Sequence, residues 1–257
     1  MTKKKRVSRK ARQQRELEQI QNNQDTQQAY NDGSLKKTFS VKDIGNVRPK
    51  TDHQRDAFQH FFQGNNLLLK GSAGTGKTFI ALYLALQEVF RQDSLYKKVV
   101  IVRSTLPVRD IGFLPGTADE KIEQYEAPYR GLCDELFEFR NSYDNMKKSE
   151  YIEFISTSFI RGITLHDSIV IMDEAQNMTW DEISSTMTRA GENTSYIICG
   201  DTKQSDHHKQ SDRCALGNLQ QVLELMESFG IVEFDRDDIV RSGFVKDFIV
   251  ASEDAGF

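Results

Sequence analysis

The sequence predicts an α/β fold with a mainly parallel sheet, and three observations carry that expectation. From Pro49 onward, continuous β-branched apolar runs alternate with amphipathic stretches, the pattern of strands covered on both faces by helices. One such run, Leu67-Leu68-Leu69-Lys70, enters a turn containing Gly71, Gly74 and Gly76 at the head of an apolar helix free of breakers. Another, Ile169-Val170-Ile171-Met172, ends on the paired acids Asp173-Glu174.

In chain order, the first helix is expected over 52–62 and the first strand over 66–70. A helix follows at 77–91, a strand at 98–103 and a long helix at 119–139. The acid-bearing strand takes 168–173, followed by a helix at 179–189 and a strand at 195–200. A helix at 215–228 and a strand at 230–234 complete the alternation, with no internal repeat. Phe61-Phe62 and the Phe137/Phe139 pair sit in apolar helical stretches and read as core, not as platforms for stacked bases.

Residues 1–47 are polar and Gln/Asn-rich, so they read as a disordered tail ahead of one domain over 48–257. A helical stretch from Ser8 to Gln24 has only Leu17 and Ile20 to bury and is marginal alone. The net charge of −4 hides eight cations without an acid in residues 1–15, from Lys3 to Arg15. The rest is correspondingly acidic and no general polyanion binder; the basic tail reads either as a nucleic-acid anchor or as a solvated extension. No apolar run reaches the ~18 residues of a membrane span, and no signal-peptide pattern follows Met1. Cys133, Cys199 and Cys214 lack paired spacing, which fits reduced thiols in a cytoplasmic protein.

Gly71-Ser72-Ala73-Gly74-Thr75-Gly76-Lys77-Thr78 reads G-x-x-x-x-G-K-T. The glycines open backbone conformations that turn N–H groups inward, and these donors with the helix N-terminus make a concave anion site. Lys77 would reach the β- and γ-phosphates, and the Thr78 hydroxyl would ligate Mg²⁺. Asp173, at the carboxyl end of a buried strand, would hold the same ion, and Glu174 would polarise the attacking water as general base. The strand ending Cys199-Gly200-Asp201 delivers Gln204 as a γ-phosphate sensor, because an amide can donate to phosphate and accept from water. Gln54, on the first helix, could read an adenine edge. A GTPase would carry Asn-Lys-x-Asp, and Thr202-Lys203-Gln204-Ser205 lacks the aspartate; a small-molecule kinase has no use for a water-activating Glu174. His207-His208 with Asp206 and Asp212 offers no third ligand at useful metal spacing.

Together these pieces resemble the PhoH family, phosphate-starvation-inducible P-loop proteins related to superfamily-one helicases. The resemblance runs from about Pro49 to Ala251. It rests on Gly112-Phe113-Leu114-Pro115-Gly116 with Glu120-Lys121-Ile122 and Pro128, and on Arg161-Gly162 through Asp173-Glu174-Ala175-Gln176-Asn177. Thr188-Arg189-Ala190-Gly191, Gly200-Asp201 with Gln204, and Asp238-Ile239-Val240-Arg241 complete it. Ser72 stands where the family usually has Pro, a position expected to contribute backbone only; Ser104 replaces Pro and Ser242 replaces His. The resemblance implies a single RecA-like domain that binds and hydrolyses ATP, with RNA or single-stranded nucleic acid as partner. Related helicases place ATP between two such domains, the second supplying an arginine. With one domain here, the expectation is a homo-oligomer that supplies an arginine in trans, Arg241 first and Arg161 or Arg189 next. The alternative is an ATP-dependent switch or assembly factor acting on a protein partner without motor activity.

Overall fold

Alternate residues of each strand part onto two faces, and this decides the layers of the domain. In the computed structural model, which describes residues 38–105, 118–137, 139–201 and 215–255, the six strands are β1 (Asn66–Gly71), β2 (Lys98–Arg103), β3 (Ile152–Ser156), β4 (Ser168–Met172), β5 (Thr194–Gly200) and β6 (Phe229–Phe234). Leu67, Leu69, Val99, Ile101, Ile169, Ile171 and Ile197 fill one core, while Leu68, Val100, Val102, Val170, Met172 and Ile198 fill the other.

The helices are α1 (Asp52–Phe62), α2 (Lys77–Val89), α3 (Ala118–Phe137), α4 (Ser142–Lys148), α5 (Trp180–Met187), α6 (Ala215–Leu223) and α7 (Gly243–Asp254). The first face packs on α1 to α4; the second packs on α5 and α6 through Ile183, Leu216, Leu219 and Leu223. α2 is buried on every side from Ile80 to Leu86, which is why its sequence is apolar all round. Each fully buried Leu there contributes on the order of 1.5–3 kcal/mol. Thr51 caps α1 by accepting from the Gln54 N–H, and Thr179 with Glu182 forms a capping box on α5.

The strand order is β3-β2-β4-β5-β1-β6, and every neighbouring pair is parallel. β5 thus lies between the glycine-loop strand β1 and the acid-bearing strand β4. This is the RecA-like α/β arrangement, and it brings Gly71, Arg103, Asp173 and Asp201 to one edge of the sheet, where ligands bind in open α/β folds.

Four elements differ from expectation. β3 was not expected: its run Ile152-Glu153-Phe154-Ile155-Ser156 is broken by a charge, because an edge strand is only partly covered. α4 is too short to show a stripe, and α7 has no buried residue although Phe244, Val245 and Phe248 recur at helical spacing on its exposed surface. α6 stops at Leu223 instead of 228. The domain also begins before residue 48. Phe39 is buried in a ring cluster with Phe90, Phe137, Phe139 and Tyr151, and the Gly45 N–H donates to the Leu136 carbonyl at 2.7 Å. Phe137 is core as read, whereas Phe62 is largely exposed. Among the described residues no helix is long and apolar enough to cross a membrane. The Ser8–Gln24 stretch, Gly112–Gly116, Gln204 and the Asp206–Asp212 group lie outside the described residues.

Candidate functional site

β1 ends at Gly71, where φ is +123°, and a Cβ built there would fall 1.9 Å from the Phe234 carbonyl oxygen on β6. Only glycine lets the chain leave the sheet so close to its neighbour. Gly74 and Gly76 are also left-handed, at φ 75° and 85°, and Gly76 caps α2. The loop between them is braced from several sides. The Thr75 hydroxyl donates to the Ser72 carbonyl at 3.0 Å, and the Val240 N–H donates to the Gly74 carbonyl at 3.2 Å. Ser72 corrects the expectation that its position contributes backbone only, since its hydroxyl donates to Glu253 Oε1 at 2.7 Å and ties the loop to α7.

Gln54 is buried beneath this loop. Its Nε2 donates to the Thr75 carbonyl at 3.0 Å, and its Oε1 accepts from the Lys50 N–H at 2.8 Å. It also lines a side chamber of about 170 Å³ with Val47, Phe79, Leu132 and Val240. The amide therefore braces the loop and keeps one N–H over for a ligand.

The main cleft measures about 470 Å³ and is lined by Ala73, Gly74, Gly76, Lys77, Thr78, Arg103, Asp173, Glu174, Gln176, Asp201 and Arg241 among others. The Lys77 ammonium donates to the carbonyls of Gly71 and Ser72 at 2.8 and 2.7 Å, and burial lowers its pKa. The Thr78 hydroxyl donates to Asp173 Oδ1 at 2.9 Å. The second oxygen of Asp173 accepts from the Tyr129 hydroxyl at 2.8 Å. Burial, then the neighbouring Asp173, pushes the Tyr129 hydroxyl well above its ordinary pKa, so it stays a donor. Hydroxyl and carboxylate oxygens side by side are the hard donor set Mg²⁺ takes, so these residues fit that ion.

Glu174 turns through the left-handed region at φ 51°, a conformation that costs a residue with a side chain about 1–3 kcal/mol and is concentrated at functional sites. Burial, then Asp173, raises its pKa above the ordinary value; Arg103, Gln176 and Lys77 oppose that. Gln176 Nε2 donates to Glu174 Oε2 at 2.6 Å, while Gln176 Oε1 accepts from the Asp201 N–H at 2.9 Å. One amide thereby joins the end of β4 to the end of β5.

Arg241 stands over the loop of its own chain, its Cγ 3.1 Å from a Cβ built on Gly74. Arg161 and Arg189 lie elsewhere, together in a separate cavity. Arg103, Tyr129 and Gln176 are the site residues the sequence reading did not assign. Arg103 sits at the end of β2, stacked over Tyr125 at 5.7 Å. Burial would lower its pKa, but Tyr129, Asp173 and Glu174 raise it. Another cleft of about 510 Å³, lined by Val41, Phe61, Phe62, Gln87, Leu95 and others, holds none of the motif residues.

The family match agrees with the geometry. The family model described as PhoH-like protein matches residues 46–253. Protein PhoH2 of Bacillus subtilis (strain 168) is 34% identical over 182 residues, covering 66% of this chain and 39% of the relative. The PhoH-like protein of Mycobacterium leprae (strain TN) is 31% identical over 209 residues, covering 80% and 58%. Protein PhoH of Escherichia coli (strain K12) is 31% identical over 223 residues, covering 81% and 61%. The chain thus spans less than two thirds of the length of each. Among solved structures, the large terminase of a thermophilic bacteriophage in complex with ADP superposes with a TM-score of 0.47 at 13% identity, over 77% of this chain and 48% of that one. The family match, the glycine loop and the acids that face it lead to one assignment: the chain belongs to the PhoH family.

Proposed function

We propose that this protein hydrolyses ATP with Mg²⁺ at the cleft between β1, β4 and β5, and couples that turnover to RNA or another single-stranded nucleic acid. The observation that carries the hydrolytic half is the Thr78–Asp173 hydrogen bond beside Glu174, with Lys77 in the same cleft.

The loop from Gly71 to Thr78 binds the phosphates through its inward N–H groups and the start of α2. Lys77 exchanges the carbonyls of Gly71 and Ser72 for phosphate oxygens. Gln54 holds the loop and offers its remaining N–H to the adenine edge. Thr78 and Asp173 would hold Mg²⁺, which when bound supplies charge neutralisation on the phosphates. Glu174 accepts the proton of the attacking water; the bond from the γ-phosphorus to the bridging oxygen breaks, leaving ADP and inorganic phosphate. A raised carboxyl pKa suits that role, because a base works best near the ambient pH. Gln204 is the proposed γ-phosphate sensor. Arg241 is proposed to stabilise transition-state charge. Its place over its own Gly74, with Arg103 in the same cleft, supports that role within one chain; the alternative is a homo-oligomer in which Arg241, Arg161 or Arg189 is supplied in trans to a neighbouring copy. The basic residues 1–15 are proposed as a nucleic-acid anchor, and the buried unpaired thiols Cys133 and Cys199 fit a reducing compartment.

The test is steady-state ATP hydrolysis with and without single-stranded RNA and DNA, with Lys77→Ala as the blank. Stimulation by one polymer supports the coupled reading and identifies the partner. Hydrolysis indifferent to both favours the switch or assembly factor acting on a protein.

A further inference from the structure

Two of the blocks that mark the family, Arg161-Gly162 and Thr188-Arg189-Ala190-Gly191, take no part in the nucleotide cleft, yet the fold brings them together. The Leu165 N–H donates to the Arg189 carbonyl at 2.8 Å, the Gly191 N–H donates to the Leu165 carbonyl at 2.7 Å, and Leu165 and Ala190 form an isolated parallel bridge. Gly191 permits that approach, since a Cβ there would meet His166 Nδ1 at 2.4 Å and the Leu165 carbonyl oxygen at 2.6 Å. On the other side of Arg161, Ile160 is fully buried in the second core, and Gly162 turns at φ 87°. The backbone that carries the two arginines is therefore fixed by packing and by hydrogen bonds.

Between them lies a cavity of about 570 Å³, lined by Arg161, Asp181, Ser184, Ser185, Thr188 and Arg189. The Arg189 Nε is buried with no hydrogen-bond partner, and among the described residues no ion pair or hydrogen bond engages the Arg161 side chain. The Thr188 hydroxyl is turned back onto the carbonyls of Ser184 and Ser185, which leaves the Ser184 and Ser185 hydroxyls as donors. Asp181, the one carboxylate in the lining, is exposed and screened by water. A guanidinium N–H that lacks an acceptor is satisfied by an oxyanion. Guanidinium forks and hydroxyls on one wall are the groups that hold phosphodiester oxygens. The wall is also tied to the hydrolytic cleft. α5 follows the turn that carries Glu174, and its Glu182 accepts from the Ser104 hydroxyl at 3.2 Å, next to Arg103.

We infer that Arg161 and Arg189 hold neighbouring phosphodiester groups of a single-stranded nucleic acid, with Ser184 and Ser185 donating to the same backbone. This rests on the nucleic-acid reading above and gives it a site. The test is binding of a fluorescent single-stranded RNA to the full chain over a range of salt, for wild type, Arg161→Gln with Arg189→Gln, and Ser185→Glu. Removing two phosphate contacts lowers affinity about tenfold or more, and it flattens the slope of log affinity against log salt by about 1.4. Ser185→Glu weakens binding in the same direction and leaves both arginines in place, which covers a paired variant that fails to fold. Wild type that binds, with variants that keep its affinity and slope, overturns this site alone. Wild type that binds no polymer overturns the nucleic-acid reading and the site with it. Loss of polymer-free ATP turnover with unchanged RNA affinity assigns the arginines to a neighbouring copy's nucleotide, and also overturns the inference.

Discussion

The Thr78 hydroxyl meets Asp173 Oδ1 at 2.9 Å although 95 positions separate the two residues. The carboxylate is held from its other side by Tyr129, 44 positions away. Tyr129→Phe removes that donor and leaves Asp173 Oδ2 buried without it. The expected cost is about 1–3 kcal/mol in urea unfolding, with weaker Mg²⁺-dependent turnover. An unchanged unfolding midpoint and turnover would mean that the Tyr129 contact holds nothing in place.

Glu174→Gln keeps the shape of the site and removes the base. Turnover is expected to fall by about 10²–10⁴ while ATP affinity holds. Because Glu174 must be ionised to accept the proton, wild-type turnover is expected to rise with pH through a limb that Glu174→Gln lacks. A pH–rate profile of both checks this. The same limb in Glu174→Gln contradicts the assignment.

His53 Nδ1 lies 2.6 Å from Asp238 Oδ2 and joins α1 to the segment that carries Arg241. The hydrogen bond that His53 donates to Asp238 raises the His53 pKa above its ordinary 6.5, against the smaller effect of burial. A raised folded-state pKa means that the ion pair's stabilisation is complete below about pH 6.5 and is lost as pH climbs through the folded value. His53 is half open to solvent, so the contribution is about 1 kcal/mol or less. The gap in Tm between wild type and His53→Gln therefore narrows from pH 6 to about pH 9. A gap that widens with pH has the wrong sign.

Phe39 lies inside the first core although the tail looks featureless around it. Phe39→Ala is expected to cost about 3–5 kcal/mol, and a chain trimmed to begin at residue 48, which also loses the Gly45–Leu136 hydrogen bond, to lose at least as much. Chemical denaturation of both decides it. Equal stability of trimmed and full chains would remove Phe39 from the core.

The sequence alone was a good guide where burial was complete on both faces. β1, β2, β4 and β5 are continuous apolar runs, and their ends carry the glycine loop, Asp173-Glu174 and Asp201 to one edge. It was a poor guide where burial is partial. β3 is an edge strand interrupted by Glu153, and α7 buries no residue, its Phe244, Val245 and Phe248 standing exposed at helical spacing. Within the site, motif spacing pointed to Lys77, Thr78 and Asp173. Arg103 reaches the same cleft, and Tyr129 the Asp173 carboxylate behind it, only because β2 lies beside β4 and α3 packs across the sheet, and no local pattern records that. The family block quoted for Gln176 was visible, but its role as a link between Glu174 and the Asp201 N–H is a product of the sheet order.

The most direct check of the central claim is phosphate release from ATP by the full chain with Mg²⁺ and no polymer, wild type beside Lys77→Ala. The account predicts sustained release by wild type and a loss of about a hundredfold or more in the variant, which lacks the side chain that meets the β- and γ-phosphates. Release by Lys77→Ala at the wild-type rate, or no release by wild type, would contradict it.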